Sequence, residues 1–332
     1  MVVSTPSSAS RRTTAGELPA GRPEHALLTS HLAVAMDLVT EPWCNSILRA
    51  AFLGVRRFDA FQQLLQAPRQ TLSLRLAYLV DIGLLRRQPL GDSALRHEYR
   101  LTASGKGMYA VVLASWAWDR GWGWGDPLHR IPLRLEHRPC GHPFQPQLVC
   151  EHCDAPLALA RVHPVMQAPP ASASRSRPRS SRWRGPAPES DALPQRDILA
   201  VIDDRWSVLV VAAIMLGAMR FDELTRSLDI SSAVLTRRLQ RLCAMDVILR
   251  EPDPLDARRA TYQLARAGRD LFPYVLALAQ WGGTQTRQRD TIGWVHADCG
   301  HTVRGRMACS HCRQSLLTQE VVRPQWSGSR LP

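Results

Sequence analysis

The sequence contains almost no lysine, few aromatic residues and no hydrophobic run of membrane-spanning length. Its longest apolar run, from Ser207 to Met219, has 13 residues, whereas a helix that spans a bilayer needs about 20. The N-terminal segment also lacks the apolar core of a signal peptide. We therefore expect a cytoplasmic protein that has no membrane partner.

Arginine carries nearly all of the positive charge. Lys106 is the only lysine, yet basic residues number 42 against 29 acidic ones, which gives a formal net charge of +13. An excess of this size favours a polyanionic partner, with nucleic acid ahead of a membrane surface. The chain has 332 residues, of which 45% are hydrophobic. It is therefore long enough for about two domains with buried cores.

The chain is a tandem repeat. Shifted by 163 residues, the sequence matches itself without a gap from residue 43 to residue 118, and shifted by 159 it matches again further on. Agreement at this many spaced positions shows two copies of one unit. The matched pairs include Trp43 and Trp206, Phe58 and Phe221, Leu76 and Leu239, Trp118 and Trp281, Cys140 and Cys299, and Cys150 and Cys309.

Each copy begins with three predicted helices. In the second copy an apolar helix runs from Asp204 to Met219, and a short amphipathic helix begins at Arg220. Ser231 is a suitable N-cap for a third helix, in which apolar residues recur at helical spacing up to Leu242.

Two strands and a last helix complete the copy. Val247 to Arg250 and Thr261 to Leu264 are predicted strands joined by a polar loop, and Arg266 to Trp281 is a predicted amphipathic helix. The first copy gives the same order over about residues 42 to 118. Three helices, a hairpin and a helix are the layout of a winged helix-turn-helix.

Both copies resemble the HxlR-type winged helix-turn-helix transcriptional regulators. The family pattern has a tryptophan that opens an apolar helix, then Gly-x-x-Arg-Phe-x-x-Leu, and Leu-x-x-Arg-Leu-x-x-Leu in the recognition helix. The best matching segments are Asp204 to Leu209 and Ser231 to Leu242 in the second copy, and Asp81 to Leu85 and Glu98 to Lys106 in the first. The resemblance implies a bacterial-type regulator that binds DNA, in a family whose members generally act as homodimers on two half-sites.

Two departures limit what the resemblance implies. Family members usually carry a cysteine shortly before the first helix, and some use it as a redox sensor. Cys44 and Cys243 lie elsewhere, so thiol sensing is not carried over. The first recognition helix is also less basic, with Leu74 at the position of Arg237. We expect it to contact DNA more weakly than the second.

The resemblance places each recognition helix in the major groove and each wing hairpin against phosphates or the minor groove. Arginine can pair bidentately with guanine, while serine, threonine and glutamine offer adaptable hydrogen bonds. A solvated helix face without a function is the alternative for any one of these side chains. The predicted DNA-binding residues are Arg69, Gln70, Ser73 and Arg75 in the first recognition helix; Ser231, Ser232, Thr236, Arg237, Arg238 and Arg241 in the second; and Arg87, Arg96, His97, Arg258 and Arg259 in the wings.

Each copy ends in a paired His/Cys motif. His-x-x-Cys-Gly is followed after eight residues by Cys-x-x-Cys, and the whole arrangement occurs twice. In a chain without an export signal, clustered cysteines indicate metal ligands instead of disulfides. Two short turns that each present two ligands to one ion are the design of a zinc ribbon. The predicted zinc ligands are His137, Cys140, Cys150 and Cys153 in one site and His296, Cys299, Cys309 and Cys312 in the other.

Two questions about these sites stay open at this point. His142 or His152, and likewise His301 or His311, could replace the first histidine as the fourth ligand, and spacing alone does not identify the metal as zinc. Buried free thiols are the alternative interpretation. Four ligands without a repeated acidic residue indicate closed structural sites, since catalytic zinc keeps one position open for water.

The predicted fold is mainly α with small β: two winged helix-turn-helix domains in tandem, each followed by a small zinc-ribbon-like module. The interval from His163 to Gln195 is rich in Pro, Ser, Ala and Arg and has no hydrophobic periodicity, which predicts a flexible linker. The predicted boundaries are 1–24 for a disordered N-terminus, 25–125 for the first winged domain, 132–160 for the first module, 161–195 for the linker, 196–288 for the second winged domain, 292–318 for the second module and 319–332 for a tail.

The sequence therefore predicts a sequence-specific DNA-binding transcriptional regulator, associated with the nucleoid. Two unequal copies suggest an intramolecular pseudo-dimer on an imperfect palindrome, with a homodimer of four winged modules as the competing arrangement. The alternative function is a zinc-containing adaptor that binds protein or RNA through its winged helices. We find no phosphate loop, nucleophile elbow or repeated carboxylate pair, so we expect no enzymatic activity.

The sequence leaves the target genes, the direction of regulation and any small-molecule effector unspecified. Several tryptophans lie near the end of each winged domain, and we expect them to pack at an interface between the copies instead of lining a ligand pocket. These residues are Trp116, Trp118, Trp122, Trp124 and Trp281.

Overall fold

The computed structural model of the protein describes most of the chain. The described residues are 22–39, 42–90, 93–122, 134–167, 198–202, 205–253, 256–317 and 322–325. The predicted N-terminal tail up to residue 21, most of the predicted linker and Trp124 lie outside these ranges. Within them, no helix is both long enough and apolar enough to cross a membrane.

The first half of the protein is a helical unit with one hairpin. A 3-10 turn, Pro23–Thr29, leads into helix α1, His31–Val39. The winged unit follows with α2 (Pro42–Phe52), α3 (Phe58–Leu65), α4 (Arg69–Asp81), β1 (Leu85–Leu90), β2 (Ser93–Leu101), α5 (Ala103–Gly107) and α6 (Tyr109–Trp122). Strands β1 and β2 pair antiparallel and form the wing.

The second half repeats this order. Its elements are α7 (Ile198–Val201), α8 (Arg205–Met215), α9 (Phe221–Leu228), α10 (Ser232–Ala244), β7 (Ile248–Asp253), β8 (Asp256–Leu264), α11 (Arg266–Arg269) and α12 (Phe272–Thr284). Helices α8 to α10 and the wing have the bounds of α2 to α4 and the first wing, shifted by 163 residues. The last helix, predicted as one, is divided between α11 and α12, and Pro273 suits the first turn of the new helix.

Apolar spacing and end caps explain why the recognition helices form where they do. In α10, Leu235, Leu239 and Leu242 lie on one buried face. The side chain of Ser231 accepts a hydrogen bond from the backbone N–H of Val234 and caps the helix. These contacts fix the rotation of α10 about its axis, and so determine which of its residues face solvent.

The seven remaining strands join the two halves. They are β3 (Arg134–His137), β4 (His142–Phe144), β5 (Pro146–Cys150), β6 (Val162–Met166), β9 (Ile292–His296), β10 (Gly305–Cys309) and β11 (Val322–Gln325). Strand β5 pairs with β10, β6 with β9 and β3 with β11, all antiparallel, while β4 pairs with β3 of its own half. The two small modules, predicted as separate units, therefore share their sheets.

This strand exchange corrects two predicted boundaries. Strand β6 lies at the start of the predicted linker, and β11 lies in the predicted tail. Each is held by hydrogen bonds to a strand from the other half of the chain. Local composition carries no signal for such pairing, because the partner is far away in the sequence.

The packing of the two halves is pseudo-symmetric. Helices α6 and α12 pack against each other. Trp118 Nε1 donates a hydrogen bond to the carbonyl oxygen of Ala267 at 2.9 Å, and Trp281 Nε1 donates to that of Ser104 at 3.1 Å. The 163-residue shift converts one bond into the other, as expected of an interface formed by the same surface on both partners. These tryptophans thus lie at the contact between the copies.

A second contact extends this interface. Helix α1 from the first half packs along α12 of the second, and Asp37 on α1 forms a buried salt bridge with Arg205 on α8. Burial lowers the pKa of Arg205 to about 10, which still leaves its guanidinium charged at neutral pH. The N-terminal helix therefore belongs structurally to the second half.

Candidate nucleic-acid interface and metal centres

Recognition helix α10 presents polar side chains along its exposed face. Arg238 and Arg241 are half-buried closer to the body of the domain. The hydroxyl of Thr236 donates to the carbonyl oxygen of Ser232 at 2.8 Å, so its remaining hydrogen-bonding capacity faces outward. The exposed members of the predicted set are Ser231, Ser232, Thr236 and Arg237.

Recognition helix α4 is exposed at equivalent positions but differs in chemistry. Arg69, Gln70 and Ser73 are exposed, as predicted. The guanidinium of Arg69 lies 5.2 Å from the ring centroid of Phe58, a cation–π contact that orders the side chain. Leu74, at the position of Arg237, is 39% exposed. The exposed face of α4 is therefore partly apolar where that of α10 is charged.

Arg75 is a correction to the predicted DNA contacts. Its side chain is only 7% exposed and lies on the buried face of α4 with Leu72, Leu76 and Leu79. A residue on that face packs against the domain and cannot reach a DNA groove. The spacing of the leucines indicates this burial in the sequence, because at about 3.6 residues per turn position 75 lies on the same helix face as positions 72 and 79.

The wings place most of their predicted residues at the surface. Arg87, Arg96 and Arg259 are exposed, while His97 is half-buried. Arg87 Nη2 donates a hydrogen bond to His97 Nδ1 at 3.0 Å, which holds these two side chains together on the first wing. Arg258 belongs to strand β8, but its side chain lies outside the described part of the structure.

The predicted metal ligands form two compact groups, and their composition differs from the prediction. All eight residues take part, but each group draws two ligands from each half of the chain. This is a correction to the predicted pairing, in which all four ligands come from one half. The groups are His137, Cys140, Cys309 and Cys312, and Cys150, Cys153, His296 and Cys299, with the ligand atoms of each group within 4.8 Å of one another.

Strand pairing explains the exchange of ligands. The β5–β10 ladder aligns Leu148 with Met307 and places Cys150 opposite Gly305 and Cys309 opposite Pro146. The two Cys-x-x-Cys turns consequently lie at opposite ends of one ladder. Each turn meets the His-x-x-Cys turn of the other half, so a metal ion in either group would connect the two repeats.

The interatomic distances fit tetrahedral coordination. With zinc–sulfur bonds of about 2.3 Å and zinc–nitrogen bonds of about 2.0 Å, tetrahedral ligands lie about 3.8 Å apart for two sulfurs and about 3.5 Å for sulfur and nitrogen. Cys150 Sγ lies 4.0 Å from Cys299 Sγ, and His296 Nδ1 lies 3.4 Å from both Cys153 Sγ and Cys299 Sγ. In the other group Cys312 Sγ lies 3.2 Å from His137 Nδ1. Both groups therefore fit a metal ion.

The same tight turn forms at every ligand pair. The residue after the second ligand has a positive φ in each case: Gly141 68°, Asp154 57°, Gly300 70° and Arg313 60°. At Gly141 and Gly300 glycine adopts this conformation without strain. Asp154 and Arg313 adopt it at some cost, which a bound metal would offset.

The surroundings of the groups shift the pKa values of their ligands in different directions: in each Cys-x-x-Cys turn one cysteine has a lowered pKa, whereas the pKa of the other, Cys153 or Cys309, is raised. Burial lowers the pKa of His137 and so keeps the imidazole neutral. Burial acts to raise the pKa of the Cys150 thiol, but hydrogen bonds from the backbone at Cys153 and His152 outweigh it and hold that pKa below its ordinary value. The pKa of Cys312 is lowered in the same way. The thiolate is the form of cysteine that binds metal.

The alternative histidine ligands stack on one another. The His142 ring lies 3.8 Å from that of His311, and the His152 ring lies 3.4 Å from that of His301, centroid to centroid. Cys140, His142 and His311 form a further group that could approach an ion, but both histidines are exposed. His137 and His296 are fully buried within the four-residue groups. The geometry favours these two as ligands.

Sequence reasoning missed one feature of the second group. Asp298 Oδ2 lies 3.4 Å from His296 Nε2, on the side of the ring away from the sulfurs. A carboxylate in this position orients a histidine ligand and raises its basicity. Pro139 occupies the matching position in the first group, so the two groups differ in their outer contacts.

The fold and the two Cys/His groups define a protein with two winged helix-turn-helix units and two candidate metal centres. The HxlR-like helix-turn-helix family matches residues 38–125 and 201–290, which together are more than half of the chain. The protein belongs to this family.

Curated relatives agree with this assignment. An uncharacterized HTH-type transcriptional regulator of Mycobacterium tuberculosis is 40% identical over 134 residues, which cover 39% of this chain and 81% of the relative. A regulator of the same description from Mycobacterium bovis gives the same values. Another from Methanothermobacter thermautotrophicus is 34% identical over 93 residues, covering 28% of this chain and 71% of the relative.

Proposed function

We propose that the protein is a DNA-binding transcriptional regulator whose two winged helices bind the two half-sites of an imperfect palindrome. The observation that carries this proposal is the pseudo-symmetric contact between the halves, in which Trp118 and Trp281 make matching hydrogen bonds. Two winged helices related in this way suit a palindrome as the subunits of a homodimer do. One chain then supplies both recognition helices.

The two half-sites should differ at one base pair in particular. Arg237 is exposed on α10, and arginine pairs bidentately with guanine, for about 1–3 kcal/mol of discrimination. Leu74 stands at the same place on α4, and an apolar side chain contacts the methyl group of thymine. We therefore expect a G·C pair under the second repeat and an A·T pair at the equivalent position under the first.

The proposal assigns a structural zinc ion to each Cys/His group. Four sulfur and nitrogen ligands at tetrahedral distances suit zinc. A group that already offers four protein ligands leaves no position for a reactive water, so the role is structural and the protein is not a metalloenzyme. With ligands from both halves, each ion would hold the two winged helices in one relative position.

A second function, protein or RNA binding, is favoured by one observation on the first repeat. Leu74 is exposed, and a hollow of about 630 Å³ lies between α4 and the first wing, with Phe58 and Tyr99 in its lining. The rest of this lining is mostly polar, so the exposed leucine is the feature that suits a protein partner more than DNA. In this alternative only the second repeat binds DNA.

Site selection from random DNA followed by binding measurements tests the proposal. The full selected site, each half-site and scrambled DNA would be titrated across a salt series with zinc-loaded protein, and the mass of the complex would be measured. We expect one chain on a two-part site, bound about 10³-fold or more tighter than scrambled DNA, with a steep salt dependence.

Each other outcome has a distinct meaning. Binding of one chain to a single half-site as tightly as to the full site contradicts the pseudo-dimer and favours the second function. Two chains on one palindrome favour a homodimer with four winged modules. Equal binding to scrambled DNA contradicts sequence-specific regulation altogether.

A further inference from the structure

A hollow of about 540 Å³ lies beneath α1, α8, α12 and β9. This is within the range of sites that bind small organic molecules. Its lining combines polar residues with a larger number of apolar ones, among them Leu32, Leu216, Ala279, Ile292, Trp294 and Val303.

A small residue on α12 opens this space. Ala279 lines the hollow, and the 163-residue shift places Trp116 at the matching position on α6, where it is buried. The second repeat therefore lacks a large side chain that the first repeat carries. The hollow is open to solvent, and an occupant would remove its apolar lining from water, which favours binding.

The edge of the hollow carries net positive charge. Asp290 is the only acidic residue of the lining, and its carboxylate is already paired with His31. Asp290 Oδ1 accepts a hydrogen bond from the backbone N–H of His31 at 3.0 Å, and Asp290 Oδ2 lies 3.3 Å from His31 Nδ1. Arg289 and Arg304 are exposed at the edge. Within the described segments neither of these guanidinium groups pairs with a carboxylate.

We propose that this hollow binds a small hydrophobic carboxylic acid. Its apolar body would lie against Leu32, Ala279 and Trp294, and its carboxylate would face Arg289 and Arg304. Arginine and carboxylate form charge-assisted hydrogen bonds, which are stronger than those between neutral groups. A neutral molecule of the same shape gains the apolar contacts alone.

The position of the hollow gives binding a consequence for the whole protein. Leu32 belongs to α1 of the first half, whereas Ala279 and Trp294 belong to the second. An occupant therefore stabilises the packing of α1 against the second half. Regulation of DNA binding by such a ligand rests on the proposed function, but binding of the ligand does not.

Calorimetric titration of the full-length protein without DNA tests the proposal. The probe is naphthalene-2-carboxylate, and the neutral control is the corresponding naphthylmethanol. We expect the acid to bind about tenfold or more tightly than the alcohol and to raise the melting temperature. No binding of the acid overturns the proposal, and equal binding of acid and alcohol overturns the role of the arginines.

Two variants locate the site. Ala279→Trp fills the hollow with the residue of the first repeat and should abolish binding while the circular dichroism spectrum stays unchanged. Joint replacement Arg289→Gln and Arg304→Gln should weaken the acid about tenfold and leave the alcohol unaffected. Arg287→Gln, exposed nearby but outside the lining, is the matched control. Undiminished binding by both test variants would overturn the assignment.

DNA-binding failure is distinguishable from failure of this inference, because the titrations contain no DNA. A protein that binds the acid but no DNA refutes only the proposed regulator. A protein that binds its operator but not the acid refutes only the ligand site.

Discussion

The two repeats have the same backbone and different surfaces. Helices α4 and α10 have equivalent bounds, and both bury leucines at matching positions. Their exposed faces differ, with Leu74 in one and Arg237 in the other. Packing fixes the leucines because they form the core, whereas an exposed position is free to take the chemistry that its target requires. The comparison shows one scaffold with two chemically distinct exposed faces.

The Cys/His groups show the opposite relation between the repeats. The His-x-x-Cys and Cys-x-x-Cys turns are repeated almost unchanged, but neither repeat completes a four-ligand group alone. The winged helices can differ because each folds around its own core. The turns must match because the Cys-x-x-Cys turn of each half forms a group with the His-x-x-Cys turn of the other half.

Metal removal should have the largest effect and should act on both repeats at once. Structural zinc contributes on the order of 10–16 kcal/mol of apparent binding free energy to small modules. After chelation we expect β5 and β10 to lose protection from hydrogen exchange together, while α4 and α10 keep theirs. Faster hydrogen exchange in only one half, or a loss of all helicity, would contradict metal groups that the two halves share.

Alanine at Gly105 or Gly268 should destabilise the two repeats equally. A Cβ atom at either position would collide with a backbone carbonyl oxygen, that of Leu84 or that of Val247. We expect each substitution to lower the free energy of unfolding by about 1–3 kcal/mol, measured by denaturant titration. Gly121→Ala is the control, since a Cβ there meets no other atom within 4 Å. A large difference between the two variants would show that the scaffolds are not equivalent.

Exchange of one side chain between the recognition helices should alter base preference. Arg237→Leu should cost about 1–3 kcal/mol of binding at the second half-site, because a bidentate guanine contact is lost. Leu74→Arg should shift the first half-site towards G·C in a repeated site selection. Arg226→Leu, an exposed arginine on α9, is the matched control. No change in either half-site would remove these residues from the interface.

Replacement of wing arginines should have the smallest effect, and a similar one in both repeats. Arg87→Gln and Arg259→Gln each remove a candidate phosphate contact, so binding should weaken alike on all sequences and the salt slope should fall by about 1. Anisotropy titrations over a salt series measure both quantities. A change in sequence preference would instead place the wing against bases.

Much of the fold follows from local sequence patterns. The serine cap at Ser231 predicts where α10 begins, apolar spacing predicts its buried face, and the Cys/His spacing identifies the residues of both candidate metal groups. The repeat itself predicts that the two halves share one layout. These features depend on residues that are close together in the chain, so they can be predicted from the sequence.

The features that escaped prediction depend on distant partners. Spacing groups Cys150 with Cys153, but it does not reveal that His296 completes their site, because strand pairing between the halves decides that. Strand β6 was hidden for the same reason. Arg75 is a different case. Its position on the leucine face of α4 indicates burial, but its positive charge led to the prediction of a DNA contact.

Metal content of two double variants tests the shared centres most directly. Cys140→Ala with Cys309→Ala alters one four-residue group, so one metal ion per chain should remain by native mass spectrometry. Cys140→Ala with Cys150→Ala alters both groups, and tightly bound metal should be lost from both. Ligand sets confined to single repeats predict the reverse, with one ion retained by the second variant and none by the first.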